Sequence, residues 1–296
     1  MYLKTERMVY MYKIIKKQIL NDTVTLMEIN APAVAKKAKP GQFIILRVNE
    51  TGERIPLTIA DYDAEKGTVT IIFQIVGKTT SLLNTLKQGE YILDFVGPLG
   101  TPSEFDGLKK VAVIGGGLGT AIAYPQAKAL SKMGTEVHLI AGFRNKDLII
   151  LEEEMRAVSD KLVIVTDDGS NGNKGFVTNA LDDLIAEGNE YDMVIAIGPL
   201  MMMRAVCNLT KEKNIKTIVS MNPVMIDGTG MCGGCRLTVG GETKFACVDG
   251  PDFDAHLIDF DEVINRTKIY KEEEKHCDET KCNLIKKGIE LENSRV

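Results

Sequence analysis

The sequence predicts an antiparallel β-barrel, followed by a parallel α/β sheet, with a small cysteine-bearing segment at the end. Three observations predict this. Residues 12 to 95 hold short runs rich in Val, Ile, Thr and aromatics at regular spacing, punctuated by Gly, Pro and Asn. Beyond them, continuous apolar runs alternate with helical ones, the pattern of a parallel sheet covered on both faces. Lastly, the stretch DGTGMCGGCRLTVGGETKFAC, residues 227 to 247, packs three cysteines closely enough to grip one metal centre.

The first part reads from YKIIKKQIL through TVTLMEINA, QFIILRVN, GTVTIIFQIVG and GEYILDFVG. One helix interrupts it in TTSLLNTLKQG, where Thr79 or Thr80 is the expected amino-terminal cap and Gly89 the stop. After GPLGTPSEFDGL the texture changes. Strands are expected in KKVAVIGG, EVHLIAGF, KLVIVTDD, YDMVIAIGP and KTIVSMN, with helices in AYPQAKALSKMG and NALDDLIAEG between them. The expected boundaries are 1–106 for the barrel, 107–222 for the nucleotide-binding part, 223–260 for the cysteine segment and 261–296 for a charged tail.

At 296 residues the chain is long enough for two modest cores. A formal net charge of -5 leaves no basic surplus to neutralise phosphates, which argues against nucleic-acid binding. No apolar run reaches the roughly 18 residues of a membrane span. The first twenty residues lack the apolar core and cleavage site of a secretory signal, which points to the cytoplasm, where six cysteines read as ligands rather than disulfides. Met8 and Met11 precede the first alternating pattern, so residues 1 to 10 read either as an extension or as an ordinary first strand.

The chemistry begins with the glycine cluster VAVIGGGLGTAIAYP, which follows a buried strand and opens a helix. Glycines there let a pyrophosphate approach the backbone, and the helix terminus supplies positive potential. Gly115 and Gly117 fit the dinucleotide fingerprint GxGxxG, but its third place is Thr120. Glu136 sits at the start of the next strand, away from the ligand edge. In ERIPLTIADYD, Arg54 precedes Thr58 by four residues across a stiffening proline. With Gly77, Lys78, Thr79 and Thr80 of GKTTSLL, they combine a cation for phosphate, a hydroxyl for a ring edge and a helix terminus for a pyrophosphate. That constellation suits a flavin dinucleotide lying on a barrel.

With these motifs in place, the sequence resembles the ferredoxin-NADP reductase superfamily of two-domain flavoproteins over about residues 12 to 260. RIPLT is similar to its flavin-binding RxxS/T motif, which brings in Pro56 and Leu57 beside Arg54 and Thr58. GKTTSLL resembles its FAD diphosphate loop, and GPLG its interdomain signature. GGGLGTAIAYP resembles its nicotinamide-nucleotide loop and implies roles for Gly115, Gly116, Gly117, Gly119 and Thr120. The loop at Gly198 and Pro199 corresponds to one that lies near the nicotinamide in such proteins. Relatives that prefer NADP carry Ser and Arg after the third strand of the sheet. Here VTDDGS places Asp167 and Asp168, which would repel a phosphate and accept ribose hydroxyls, so NAD(H) is expected.

A thiolate centre wants four ligands, and Cys232, Cys235 and Cys247 supply three. Three cysteines and a carboxylate can also hold tetrahedral zinc. The resemblance implies a [2Fe-2S] cluster instead, because flavin and nucleotide motifs upstream call for a redox acceptor. Electron-transfer subunits of dihydroorotate dehydrogenase resemble CxxxxCxxC with a distant Cys; here the first place is Asp227. An Asp there is similar to the small subunit of NADH-dependent ferredoxin:NADP oxidoreductase, which implies Asp227, Cys232, Cys235 and Cys247 as ligands. Replacing a thiolate by a less electron-donating oxygen changes a cluster's potential.

The resemblance thus implies FAD, a [2Fe-2S] cluster and NAD(H) as cofactors, no side chain acting as an acid, base or nucleophile, and a larger iron-sulfur flavoprotein subunit as partner. Three rival readings stand beside it: an electron-transfer subunit of NAD-dependent dihydroorotate dehydrogenase, a regulatory protein that keeps the fold without flavin, and a stand-alone sulfide or polysulfide reductase. Cys207, in MMMRAVCNLTKE, reads as a packed apolar residue. The Met run at 201–203 reads as helix packing. Cys277, Cys282 and His276 read as part of a solvated tail.

Overall fold

The computed structural model describes residues 11–269; the expectations for residues 1–10 and for His276, Cys277 and Cys282 lie outside them. The amino-terminal half forms a seven-stranded antiparallel sheet. Its elements are β1 (Tyr12–Asn21), β2 (Val24–Asn30), the short α1 (Pro32–Ala35), β3 (Phe43–Arg47), β4 (Ile55–Asp63), β5 (Thr68–Gln74), α2 (Lys78–Thr85), β6 (Tyr91–Ile92) and β7 (Asp94–Leu99). The strand order is β6-β1-β2-β5-β4-β3-β7. Its two outermost strands are consecutive in sequence and separated only by Leu93, so the sheet must curl until its edges meet. Inward-facing Ile29, Ile44, Leu46, Ile71, Phe73 and Phe95 fill the interior and are almost wholly buried. Burying a side chain of this size contributes about 1.5–3 kcal/mol, and because successive residues of β3 and β5 enter different cores, Ile44 and Leu46 inside the barrel against Phe43 and Ile45 outside it, a slip of one residue would exchange the two sets.

The helix over the barrel is capped two residues before the nearer of the expected caps. Gly77 occupies the N-cap, and Thr80 sits in the first turn, its Oγ1 accepting from the amides of Val76 (3.0 Å) and Gly77 (3.1 Å). Thr80 thus takes the reaching-back half of a capping box, while the glycine cap has no side chain to accept from the first-turn amides. The helix stops at Thr85, short of Gly89, which takes φ +92° in the turn that follows.

The second half is built on β8 (Lys110–Gly116), β9 (Glu136–Phe143), β10 (Lys161–Thr166), β11 (Met193–Ile197) and β12 (Thr217–Ser220), all parallel. Between them run α3 (Gly119–Lys132), α4 (Glu152–Ala157), α5 (Val177–Ala186) and α6 (Leu200–Glu212). The order β10-β9-β8-β11-β12 places the β8–β11 neighbours where the chain reverses direction across the sheet. Ligands of such sheets bind outside the carboxyl ends of the strands at that switch point. At the opposite, amino end, Glu136 pairs with Lys110 (2.8 Å) and His138 (3.0 Å), well away from the ligand edge.

The cysteine segment forms the hairpin β13 (Arg236–Val239) and β14 (Glu242–Phe245). It then returns to the parallel sheet. β15 (Asp252–Asp254) pairs antiparallel with β12, adding a sixth strand at that edge, and α7 (Phe260–Arg266) packs behind it. Phe43 and Ile45 of the barrel share one core with Cys235, Leu237, Ala246 and Phe253 of this segment. On the other face, Val24, Ala60 and Ile72 of the barrel pack with α3 residues. An ion pair of 2.6 Å between Asp61 and Lys128 closes the same junction; being partly exposed, it adds at most about 1 kcal/mol. No helix among the described residues is long and apolar enough to cross a membrane.

Candidate functional site

A cleft of about 970 Å³ opens where the barrel meets the carboxyl ends of the parallel strands. That volume is in the range of cofactor sites, which run from about 300 to 1,000 Å³. The barrel side includes Phe43, Pro56, Leu57, Thr58, Ile72 and Gln74, from β3, β4 and β5, with the β1–β2 turn at Asn21 to Val24 beside them. Pro56 to Thr58 reach the cleft because β4 pairs with β3 through Thr58↔Phe43 and Leu57↔Ile44.

The facing wall is the loop from β8 into α3, with Gly116, Gly117 and Gly119 lining it. Each glycine is required for a different reason. A methyl on Gly119 would lie 2.7 Å from Gly198 Cα and closer still to the Ile197 carbonyl oxygen, so helix and strand approach backbone to backbone. On Gly116 a methyl would meet the Met202 thioether, which is flexible; at Gly117 space is open but φ is +54°. The close approach that the dinucleotide fingerprint assigns to its third glycine is thus made at Gly119, one residue before Thr120. Gly115 and Thr120 sit underneath, Thr120 Cα lying 2.6 Å from where a Gly115 methyl would be. Thr120 Oγ1 is buried without a hydrogen-bond partner among the described residues.

Asp167 follows β10 and lines the cleft, its amide donating to Phe143 O at 3.0 Å. Asp168 turns into the loop, where Oδ1 accepts from Ser170 N at 2.9 Å and contact with Ser170 holds its carboxyl below the usual range. Gly198 and Pro199 line the cleft beside Met201 and Met202. Arg54 and the Gly77 to Thr80 turn lie off the cleft wall: Thr79 Oγ1 donates to Glu53 at 3.1 Å, and Arg54 reaches the cysteine segment. Sequence reasoning missed Phe143 and Arg144, at the carboxyl end of β9, and Phe176, Ser220 and Asn222. The switch-point rule applied to GFRN and SMN would have found four of these five.

The end of β12 carries the cleft wall directly into the cysteine segment: Ser220, Met221, Asn222 and Met225 line the cleft, and Asp227 follows. There the four expected ligands fall into two pairs. Cys235 and Cys247 are buried, unbridged thiols with sulfurs 3.2 Å apart. Burial and the neighbouring Cys235 push the Cys247 thiol up to about 12, opposed by the Gly230 amide. Such a thiol stays protonated in the bare protein and is ionised outright when a metal cation coordinates it. The second pair is Asp227 with Cys232. Asp227 accepts from the amides of Thr229 (2.9 Å) and Cys232 (2.7 Å), which hold its carboxyl below the usual range, the Thr229 amide most strongly. Among the described residues no three acid, thiol or imidazole groups converge as a single metal ion would require. Each pair offers two donors, the number that each iron of a two-iron centre takes from the protein, whereas a lone zinc would need all four donors on one atom.

Comparison with known proteins agrees with this layout. Residues 222–259 match the family model of the iron-sulfur cluster binding domain of dihydroorotate dehydrogenase B, and residues 113–208 that of the oxidoreductase NAD-binding domain. A protein of Clostridium beijerinckii encoded in the adh 3' region is 54% identical over 272 residues, covering 89% of this chain and 92% of its own. The dihydroorotate dehydrogenase B (NAD(+)) electron transfer subunit homolog of Thermotoga maritima is 47% identical over 263 residues, covering 89% and 93%. Among solved structures, a chain of the NADH-dependent reduced ferredoxin-NADP oxidoreductase superposes with TM-score 0.85 at 45% identity, covering 90% of this chain and 96% of that one.

Proposed function

Because this chain belongs to the family of dihydroorotate dehydrogenase B electron transfer subunits and their homologues, within the ferredoxin-NADP reductase superfamily, we propose that it is the electron-transfer subunit of an NADH-dependent ferredoxin-NADP oxidoreductase. FAD, NAD(H) and an iron-sulfur cluster are its cofactors. The observation that carries this reading is the continuity of the β12 strand end: the wall of the nucleotide cleft becomes, within a few residues, the loop that bears the cluster ligands.

The flavin supplies conversion of a hydride's electron pair into single electrons for the metal centre. The chain's own groups orient and tune. Pro56, Leu57 and Thr58 would form the flavin floor, while Arg54 and the Gly77 to Thr80 turn, off the cleft wall, would supply phosphate contacts. Gly116, Gly117 and Gly119, with Gly115 and Thr120 supporting them, let the nicotinamide dinucleotide approach the start of α3, and Gly198 and Pro199 border its nicotinamide end. Asp167 is suited to accept ribose hydroxyls and to repel a 2′-phosphate, Asp168 stiffening the turn behind it. Asp227, Cys232, Cys235 and Cys247 would hold the cluster.

A partner is needed as the outlet. Cys232 is exposed, and Val224, Ile226, Met231 and Val248 around it are 60%, 52%, 88% and 41% exposed. Such an apolar rim beside a redox centre supports docking of a larger iron-sulfur flavoprotein subunit there. Delivery of electrons from a dihydroorotate dehydrogenase subunit is the second reading, favoured by the family matched at residues 222–259. Co-purification separates the two by the subunit that accompanies the chain. The decisive experiment for either is protein isolated without oxygen, with flavin, iron and sulfide counted together. Zinc in place of iron, or a flavin spectrum that NADH leaves unbleached, would refute the proposal.

A further inference from the structure

Arg54 stands at the entry to β4, off the cleft wall, and its guanidinium faces the cysteine segment. Its Nε donates to the Ile226 carbonyl at 2.9 Å and Nη2 reaches the Asp227 carbonyl at 3.5 Å, across more than 170 positions of sequence. The preceding residue points elsewhere: the Glu53 carboxylate accepts from Thr79 Oγ1 at 3.1 Å, at the amino end of α2. Two adjacent side chains therefore tie the α2 turn and the 226–230 loop to a single point of the barrel.

The loop has a second anchor. Gly228 has φ +79°, and a methyl there would lie 2.7 Å from Leu99 Cδ1 and 2.8 Å from Ile45 Cδ1, so the loop is pressed onto β3 and β7. Between the two anchors the Asp227 carboxylate is held by the Thr229 and Cys232 amides. Rotation of the Ile226–Asp227 main chain would carry that carboxylate with it. The guanidinium has five donors in a rigid fork, and two of its nitrogens serve these carbonyls while Nη1 remains for an anionic oxygen.

We propose that Arg54 is a positioning residue for the cluster: it fixes the main chain of Ile226 and Asp227 and, with Glu53, makes occupancy of the flavin site and the geometry of the cluster loop interdependent. The proposal rests on the cofactor reading above. Linkage of this kind is reciprocal, so flavin bound near the fork must alter the hold on the cluster as much as the cluster loop alters the hold on flavin. A lysine cannot reproduce the fork, since its three donors radiate from one nitrogen on a flexible stem and lack the planar, fixed spacing with which Nε and Nη2 address two successive carbonyls.

The test is a redox titration followed by paramagnetic resonance, together with the rate of iron release to a chelator. It is run on full-length wild type, Arg54→Gln and Arg54→Lys, each flavin-loaded and flavin-depleted. In wild type, removing flavin should shift the cluster's midpoint potential and speed iron release at least threefold. In Arg54→Gln the potential should be displaced and iron release fast in both states, flavin no longer mattering. Arg54→Lys should fall between, and it decides the question should Arg54→Gln not accumulate as folded protein. A glutamine variant whose signal, potential and iron release match wild type in the same flavin state would overturn the proposal, as would a lysine variant indistinguishable from wild type. Wild-type protein without iron or flavin would instead refute the cofactor reading itself.

Discussion

Replacing Gly119 by Ala tests what the start of α3 does. The added methyl would lie 2.7 Å from Gly198 Cα, whereas carbon atoms in contact prefer about 3.5–4.0 Å. Both facing groups are backbone, so the first turn of α3 must retreat from β11 by roughly 1 Å. Overpacking of this kind costs about 1–3 kcal/mol. At about 2–4 °C per kcal/mol for a chain of this size, the melting temperature should fall by roughly 2–12 °C. Because that turn would present its amides to the dinucleotide, NADH should bind at least about tenfold more weakly, a loss of about 1.4 kcal/mol. Gly116→Ala is the comparison, since its methyl would meet side chains and no backbone, the flexible Met202 thioether and, at 3.1 Å, Pro199 Cδ, and should cost less stability. Calorimetry and anaerobic NADH titration of the flavin absorbance read both effects. A Gly119→Ala protein with wild-type melting and NADH affinity would show that close helix–strand contact is not why glycine is there.

Three further outcomes are expected. Asp227→Cys should keep two irons per chain and move the cluster potential downward, because a thiolate donates more electron density than a carboxylate; an unchanged potential and spectrum would mean the carboxylate was never bound. Asp167→Ser should shift the preference from NADH toward NADPH by at least about fivefold in kcat/KM, since it removes a charge worth about 1 kcal/mol or more against a phosphate; an unmoved ratio refutes the assignment. Asp252 is buried, its Oδ2 accepting from Ser103 (2.5 Å) and Gln126 (3.0 Å) while Oδ1 has no partner among the described residues, and burial pushes its carboxyl above the ordinary 3.8. The native state therefore holds that proton to higher pH than the unfolded chain: the contribution is complete below 3.8 and is lost as pH rises through the elevated folded value. Asp252→Asn should gain on wild type in melting temperature as pH climbs from about 4 to 8, and parallel curves would count against this account.

The parallel strands were legible because each is a largely apolar run set between helical patterns, as a strand buried on both faces must be. The barrel declared itself by the regular spacing of short β-rich runs between Gly, Pro and Asn. Its helix cap was misplaced because Gly77 and Thr80 divide between them the work that sequence reasoning assigns to one residue. β15 was not legible: three residues, DFD, carry no period, and only pairing to β12 makes them a strand. Pro56, Leu57, Thr58 and the glycines after β8 line the cleft as the motifs suggested. The environment of Arg54 could not be read, since its nearest partners lie in a segment more than 170 positions away. Phe176 follows a turn of polar residues, and nothing in its neighbours marks an aromatic ring facing a cavity.

The pairing of β15 with β12 has a consequence for self-association. An edge strand offers unsatisfied amides and carbonyls to any passing chain, and β12 would be such an edge if the polypeptide ended with the parallel sheet. Here the segment that follows the metal-binding hairpin folds back and occupies that margin. The cysteine loop is thereby tethered at both ends to one sheet, so a chain cut before Asp252 would release one of its two tethers and expose a template for aggregation in the same stroke.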